Sequence, residues 1–172
     1  LVDVLLKNKI DVKAIFAPEH GFRGIADAGE QITDEKDLQT QLPIYSLHGK
    51  NRKPLPEQLK EIELMIFDLQ DVGVRFFTYL STLHYVMEAC AEKKIPLIIL
   101  DRPNPNIHYV DGPVLNLENS SFLGMHAVPI VYGMTIGEYA KMVNGEGWLS
   151  NGISCDIKVI PIQNYTHKTP YE

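Results

Sequence analysis

Cysteine is scarce in this 172-residue chain, and so is tryptophan, with two of the first and one of the second. Two cysteines cannot staple a small secreted scaffold, so the fold has to rest on a packed apolar core. Cys90 falls in a helical pattern and Cys155 near a strand, and both read as small core residues rather than a disulfide. No apolar run is long enough to cross a bilayer. Basic residues are also few: 16 Lys and Arg face 22 Asp and Glu, a formal net charge of -6. The densest basic cluster is Lys50-Asn51-Arg52-Lys53. Nucleic acid is therefore not an expected partner. The G-x-G-x-x-G and Walker A sequences are missing, which leaves nucleotide-binding versions of an α/β fold unsupported. No H-E-x-x-H or comparable ligand spacing is present. Ser46 and Ser81 lack a G-x-S-x-G setting, which argues against a serine hydrolase.

What is present is a soluble globular composition, 45% hydrophobic and 22% charged. The chain starts at Leu1 inside what reads as an amphipathic helix ending near Asn8, and its last residues carry no cap. We expect a fragment of a longer protein. Apolar runs predict strands over 12–17, 64–69, 96–100 and 153–160. A helix is expected over 78–94, with Leu80, Leu83, Met87 and Cys90 near helical spacing, and another begins at the capping box Thr135-Ile136-Gly137-Glu138. A short helix is expected over 54–62, with Pro56 in its first turn. The stretch 25–41 is long and polar, holding Asp27, Gly29, Glu30, Asp34, Glu35 and Asp37, a length that usually carries function. Pro43 marks 42–49 as an edge or irregular segment. Strands alternating with helices predict an α/β fold, a mostly parallel, doubly wound sheet with helices on both faces.

In such a sheet, chemistry collects beyond the carboxyl ends of the strands. Three strands end in polar clusters: Pro18-Glu19-His20-Gly21, Asp68-Leu69-Gln70-Asp71 running on to Arg75, and Asp101-Arg102-Pro103-Asn104-Pro105. Each brings a carboxylate and has an arginine near it (Arg23, Arg75, Arg102). We expect these ends to share one rim and form a site for a polar, anionic substrate. Arginine suits that task because its planar fork grips a carboxylate through two parallel hydrogen bonds. Glu19 lies between Phe16 and Phe22, and apolar neighbours raise a carboxyl pKa toward general-acid use. Protonating the leaving oxygen of a glycosidic bond needs such a group. Tyr45, Tyr79 and Tyr132 suit hydrogen bonding or stacking on a sugar. A metal site built from His20, Asp68, Asp71, Asp101 and His126 is the alternative. His84 reads as structural, and His48, His108 and His167 carry no signal.

The ordered motifs F-A-P-E-H-G-F-R-G, L-P-I-Y-S-L-H-G, F-D-L-Q-D-V-G-V-R-F-F-T-Y, L-D-R-P-N-P, D-G-P-V-L and V-Y-G-M-T-I-G-E-Y-A span about residues 12–149. Together they resemble the bacterial exo-β-N-acetylmuramidases, a family long known only as a domain of unknown function. The resemblance implies a Rossmann-like N-terminal catalytic domain, here residues 1–172, lacking its first strand and the smaller C-terminal domain that lines the cleft. It implies release of terminal N-acetylmuramic acid from the non-reducing end of peptidoglycan fragments by an exported or lipid-anchored protein, periplasmic or extracellular. Muropeptides or disaccharides would be the partners, with no cofactor and no membrane contact evident in these residues. Glu19 matches the proposed catalytic acid and Tyr45 a tyrosine near the site. Asp68, Gln70, Asp71, Arg75, Asp101 and Arg102 match the polar strand ends around the pocket. With His20 setting the environment of Glu19, Arg75 or Arg102 would hold the lactyl carboxylate. Arg23, Tyr79 and His126 complete the expected substrate-binding set. The second catalytic group is open between Asp71 or Asp68 as base, Tyr45 as nucleophile, and the substrate's own acetamido group. The competing readings are a peptidoglycan- or carbohydrate-binding module without catalysis, and a metal-dependent hydrolase on the same frame.

Overall fold

The computed structural model describes residues 1–23 and 35–171. Gly24, Asp27, Gly29, Glu30 and Asp34 of the long polar stretch lie outside the described residues. The chain divides into two compact units, Leu1–Ile62 and Glu63–Glu172.

The first unit opens with helix α1 (Val2–Lys7), which Asn8 ends as expected. Strand β1 (Ile15–Ala17) follows, then β2 (Glu35–Lys36) and β3 (Pro43–Ser46). The sheet order is β1-β3-β2, with β1 and β3 parallel and β2 antiparallel to β3. The segment expected at an edge is thus the central strand. Pro43 is tolerated there because it is the strand's first residue, where a missing N–H costs least. Ile15, Ala17 and Ile44 form the core, covered by Val2, Phe22 and Leu42. The helix expected over 54–62 is instead a run of turns, with Gln58 N–H bonded to the Leu55 carbonyl and Ile62 N–H to that of Leu59. Pro54 and Pro56 donate no N–H, and the Gln58 side chain caps Leu55 N–H at 2.8 Å, closing the chain locally before a helix can propagate.

The second unit carries the strand–helix alternation. Strand β4 (Met65–Phe67), helix α2 (Tyr79–Lys93) and strand β5 (Leu97–Leu100) form a parallel unit, and β6 (Ile157–Ile160) adds on the far side of β5. The fold is α/β as expected, with β4, β5 and β6 all parallel; among the described residues the strands pair in two three-stranded sheets where one was expected. Helix α3 (Ile136–Gly145) packs on α2 and β6. Its capping box forms as expected: Thr135 Oγ1 accepts from Glu138 N–H, and the Glu138 carboxylate accepts from Thr135 N–H. Leu83, Met87, Cys90, Leu97, Ile99, Tyr139, Ala140 and Val143 are almost wholly buried. Cys90 and Cys155 are free, buried thiols, and burial pushes them up to about 12 and about 11.

Candidate active site

The exits of β1 and β3 define a rim in the first unit. The strands run parallel with Phe16 opposite Tyr45 and Ala17 opposite Ser46, so both chains leave at the same edge. Leu47 N–H bonds the Ala17 carbonyl at 2.7 Å and holds the exits together. The rings of Phe16 and Tyr45 lie 5.5 Å apart. Immediately past β1 the backbone turns over Pro18-Glu19-His20-Gly21, closed by Gly21 N–H to the Pro18 carbonyl at 3.0 Å. His20 has φ 72°, Gly21 70° and Arg23 69°. Left-handed conformations cost a residue with a side chain about 1–2 kcal/mol each. Two of them beside a half-buried carboxyl group is strain of the kind that collects at functional sites. Arg23 is engaged with the protein itself: Nε and Nη2 donate to the two oxygens of Asp37 at 2.8 and 2.9 Å. Those bonds, with the Thr40 hydroxyl, hold the Asp37 carboxyl well below its usual range.

The exits of β4 and β5 define a second rim, in the second unit. Arg102 pairs with Asp68, with Nε donating at 2.8 Å and Nη2 reaching the same oxygen. The Arg102 side chain stays 44% exposed, whereas that of Asp68 is 13% exposed. The Gln70 amide donates to the carbonyls of Asp71 and Pro103, at 2.6 Å each, and staples one strand exit to the other. Asp101 turns toward α3: its oxygens accept from the Thr135 hydroxyl at 2.8 Å and from Gly137 N–H at 2.9 Å. Arg75 Nη1 braces a loop through the Pro113 and Val128 carbonyls, at 2.5 and 2.7 Å. Tyr79 is half-buried, its ring edge-on to Phe77.

Two expected site residues lie inside the second unit. Asp71 is 4% exposed. Its Oδ2 accepts from Tyr132 O–H and Gly73 N–H, its Oδ1 has no partner, and burial raises its pKa. His126 is 6% exposed and bonded between His84 and Tyr139. Desolvation, with the charge of His84, lowers it to about 4. The expected set therefore divides into partly or wholly exposed groups (Glu19, His20, Tyr45, Tyr79, Arg102) and groups committed to bonds within the protein (Arg23, Asp68, Gln70, Asp71, Arg75, Asp101, His126). No cluster of three or more His, Cys, Asp or Glu able to hold a metal occurs among the described residues. His84, read as structural, is buried and bonded to His126 and, one helical turn on, to Glu88; the His84–His126 contact had no signal in the sequence.

A family model described as "Exo-beta-N-acetylmuramidase NamZ, N-terminal" matches residues 1–172. The chain belongs to the NamZ N-terminal family. It is 43% identical, over 173 residues, to the peptidoglycan beta-N-acetylmuramidase NamZ of Bacillus subtilis (strain 168), covering 99% of this chain and 41% of that protein. Two solved DUF1343 family proteins from Bacteroides fragilis NCTC 9343 share the structure. One has TM-score 0.88 and 49% identity over 99% of this chain and 44% of its own. The other has 0.89 and 41%, over 99% and 42%. The chain thus spans about two fifths of the length of these relatives.

Proposed function

We propose that this chain supplies the catalytic domain of an exo-β-N-acetylmuramidase that removes terminal N-acetylmuramic acid from peptidoglycan fragments. The observation that carries the reading is the strained turn holding Glu19 at the common exit of two parallel strands. Glu19 is the general acid that protonates the glycosidic oxygen, and His20 shapes its surroundings. Tyr45 stands at the same rim and is the nearest candidate for a second catalytic group in that unit. Arg102, the most exposed guanidinium of the second rim, is the anion-binding candidate of that unit. Asp71 contributes from inside as a group that orders the rim rather than as a base in contact with sugar. The parent protein is expected to be exported or lipid-anchored, where such fragments occur.

The test uses the full-length parent protein with a chromogenic β-N-acetylmuramide and the matching β-N-acetylglucosaminide, each with and without EDTA. Release from the muramide alone, unaffected by EDTA and lost in Glu19→Gln, is the expected result. Binding of muramic acid without turnover would make the domain a binding module, and loss of turnover in EDTA would make it a metal-dependent hydrolase.

A further inference from the structure

Four buried side chains form a continuous line through the second unit, and the proposed reaction leaves it unused. Glu88 and His84 stand one turn apart on α2, His126 comes from the loop ahead of α3, and Tyr139 stands on α3. Glu88 Oε1 lies 3.1 Å from His84 Nε2, His84 Nδ1 lies 3.0 Å from His126 Nε2, and His126 Nδ1 lies 3.0 Å from the Tyr139 hydroxyl. None of the four is more than 6% exposed. The Trp148 ring stacks on His126 at 5.1 Å, the Tyr85 ring meets His84 edge-on, and Ser150 N–H donates to Glu88 Oε1 at 2.9 Å.

A neutral imidazole has one N–H and one acceptor nitrogen, so these links cannot be set independently. With Glu88 ionised and His84 neutral, His84 carries its proton on Nε2 and accepts on Nδ1. His126 then donates from Nε2 and accepts on Nδ1, and the Tyr139 hydroxyl donates to it. One added proton on the Glu88–His84 pair reverses the line beyond it. His84 Nδ1–H donates to His126 Nε2, and His126 Nδ1–H donates to the Tyr139 oxygen. The first arrangement holds three mobile protons and the second four. All three links survive, and His126 is neutral in both, as its lowered pKa favours.

In the second arrangement the Tyr139 O–H has no duty toward His126. Among the described residues, Asp71 Oδ1 is the buried side-chain atom left without a partner. The charges of Asp71 and Arg75 both act on the Tyr139 phenol, and its ring meets edge-on that of Tyr132, the donor to Asp71 Oδ2, at 5.0 Å. We propose that Glu88, His84, His126 and Tyr139 are a one-proton switch that turns the Tyr139 hydroxyl from His126 toward Asp71 at the exit of β4.

The line stands independently of the glycosidase reading, and so does its test. Protein labelled with 15N in histidine is followed by NMR as pH is lowered from 8 while it stays folded. The protonated nitrogen of His126 is expected to move from Nε2 to Nδ1 in a single event without imidazolium formation. Glu88→Gln removes the carboxylate that holds the proton, and there His126 is expected to keep one tautomer across the same range. A wild-type His126 that keeps one tautomer from pH 8 down to the point where it titrates, near 4, or whose only change is that imidazolium formation, overturns the proposal. So does a folded Glu88→Gln protein in which the change persists unshifted.

Discussion

Replacing Asp101 with alanine separates two accounts of that residue, one in which it binds substrate and one in which it holds α3 in place. Its carboxylate accepts the Thr135 hydroxyl at 2.8 Å and Gly137 N–H at 2.9 Å, at the positive end of the helix. Hydrogen bonds to an ionised group contribute about 1.5–3 kcal/mol each. An anion at a helix N-terminus contributes about 0.3–1 kcal/mol more. The contributions are not additive, because Thr135 keeps its bond to Glu138 N–H after the change. Thr135 is nevertheless 4% exposed, so water does not readily replace the lost acceptor. The expected loss is about 2–4 kcal/mol for Asp101→Ala, and about 1–2 kcal/mol for Asp101→Asn, which keeps an oxygen acceptor but no charge. Urea denaturation at pH 7, read as a change in midpoint at constant slope, measures both. Asp101→Ala within about 0.5 kcal/mol of the wild type, the range of ordinary surface substitutions, would refute the helix-anchoring argument.

Three further outcomes are expected. Glu19→Gln keeps the fold and lowers muramidase turnover in the parent protein by about 10²–10⁴, the usual contribution of a general acid, and near-full turnover removes the assignment. Burial holds His126 at about 4 against an ordinary 6.5, so the folded form binds fewer protons than the unfolded one below neutrality. Stability is then fully present above about pH 6.5 and drains as pH falls toward 4, by about 2 kcal/mol between pH 7 and pH 5 from this residue. Denaturation midpoints at the two pH values, with an NMR titration of His126, check the sign and the size. Gly137→Ala, which in an open helix position stabilises by about 1 kcal/mol, is expected to destabilise here. The new Cβ would stand 2.5 Å from Val159 Cγ1 and 2.9 Å from Asp101 Cγ, and thermal melting reads the direction.

The elements legible in the sequence are those whose signals are local. Apolar periodicity located α2 to within a residue or so, the Thr135–Glu138 pair located the start of α3, and the apolar cores of 64–69 and 96–100 are strands β4 and β5. Strand pairing is a property of distant segments, which is why β3 was read as marginal although it is flanked on both sides. The strand exits were legible as places but not as contacts. A carboxylate after a strand has the same sequence signature whether it faces solvent, as Glu19 partly does, or anchors a helix 34 residues on, as Asp101 does. The three arginines posed the same ambiguity, and folding commits Arg23 to Asp37 and Arg75 to two loop carbonyls. The histidine pair joins positions 42 residues apart, so only the fold could bring His84 to His126.

The free cysteines give the protein a reporter it did not need to be engineered to carry. Both lie in the second unit and both are shielded by burial that keeps the thiolate form scarce. A thiol-reactive dye added to the native protein therefore modifies Cys90 or Cys155 only when that unit opens. The first unit, Leu1–Ile62, contains no cysteine and stays invisible to the dye. Labelling kinetics thus follow the opening of the second unit alone, and comparing them with a whole-chain signal such as circular dichroism tells whether the two units unfold together or in turn.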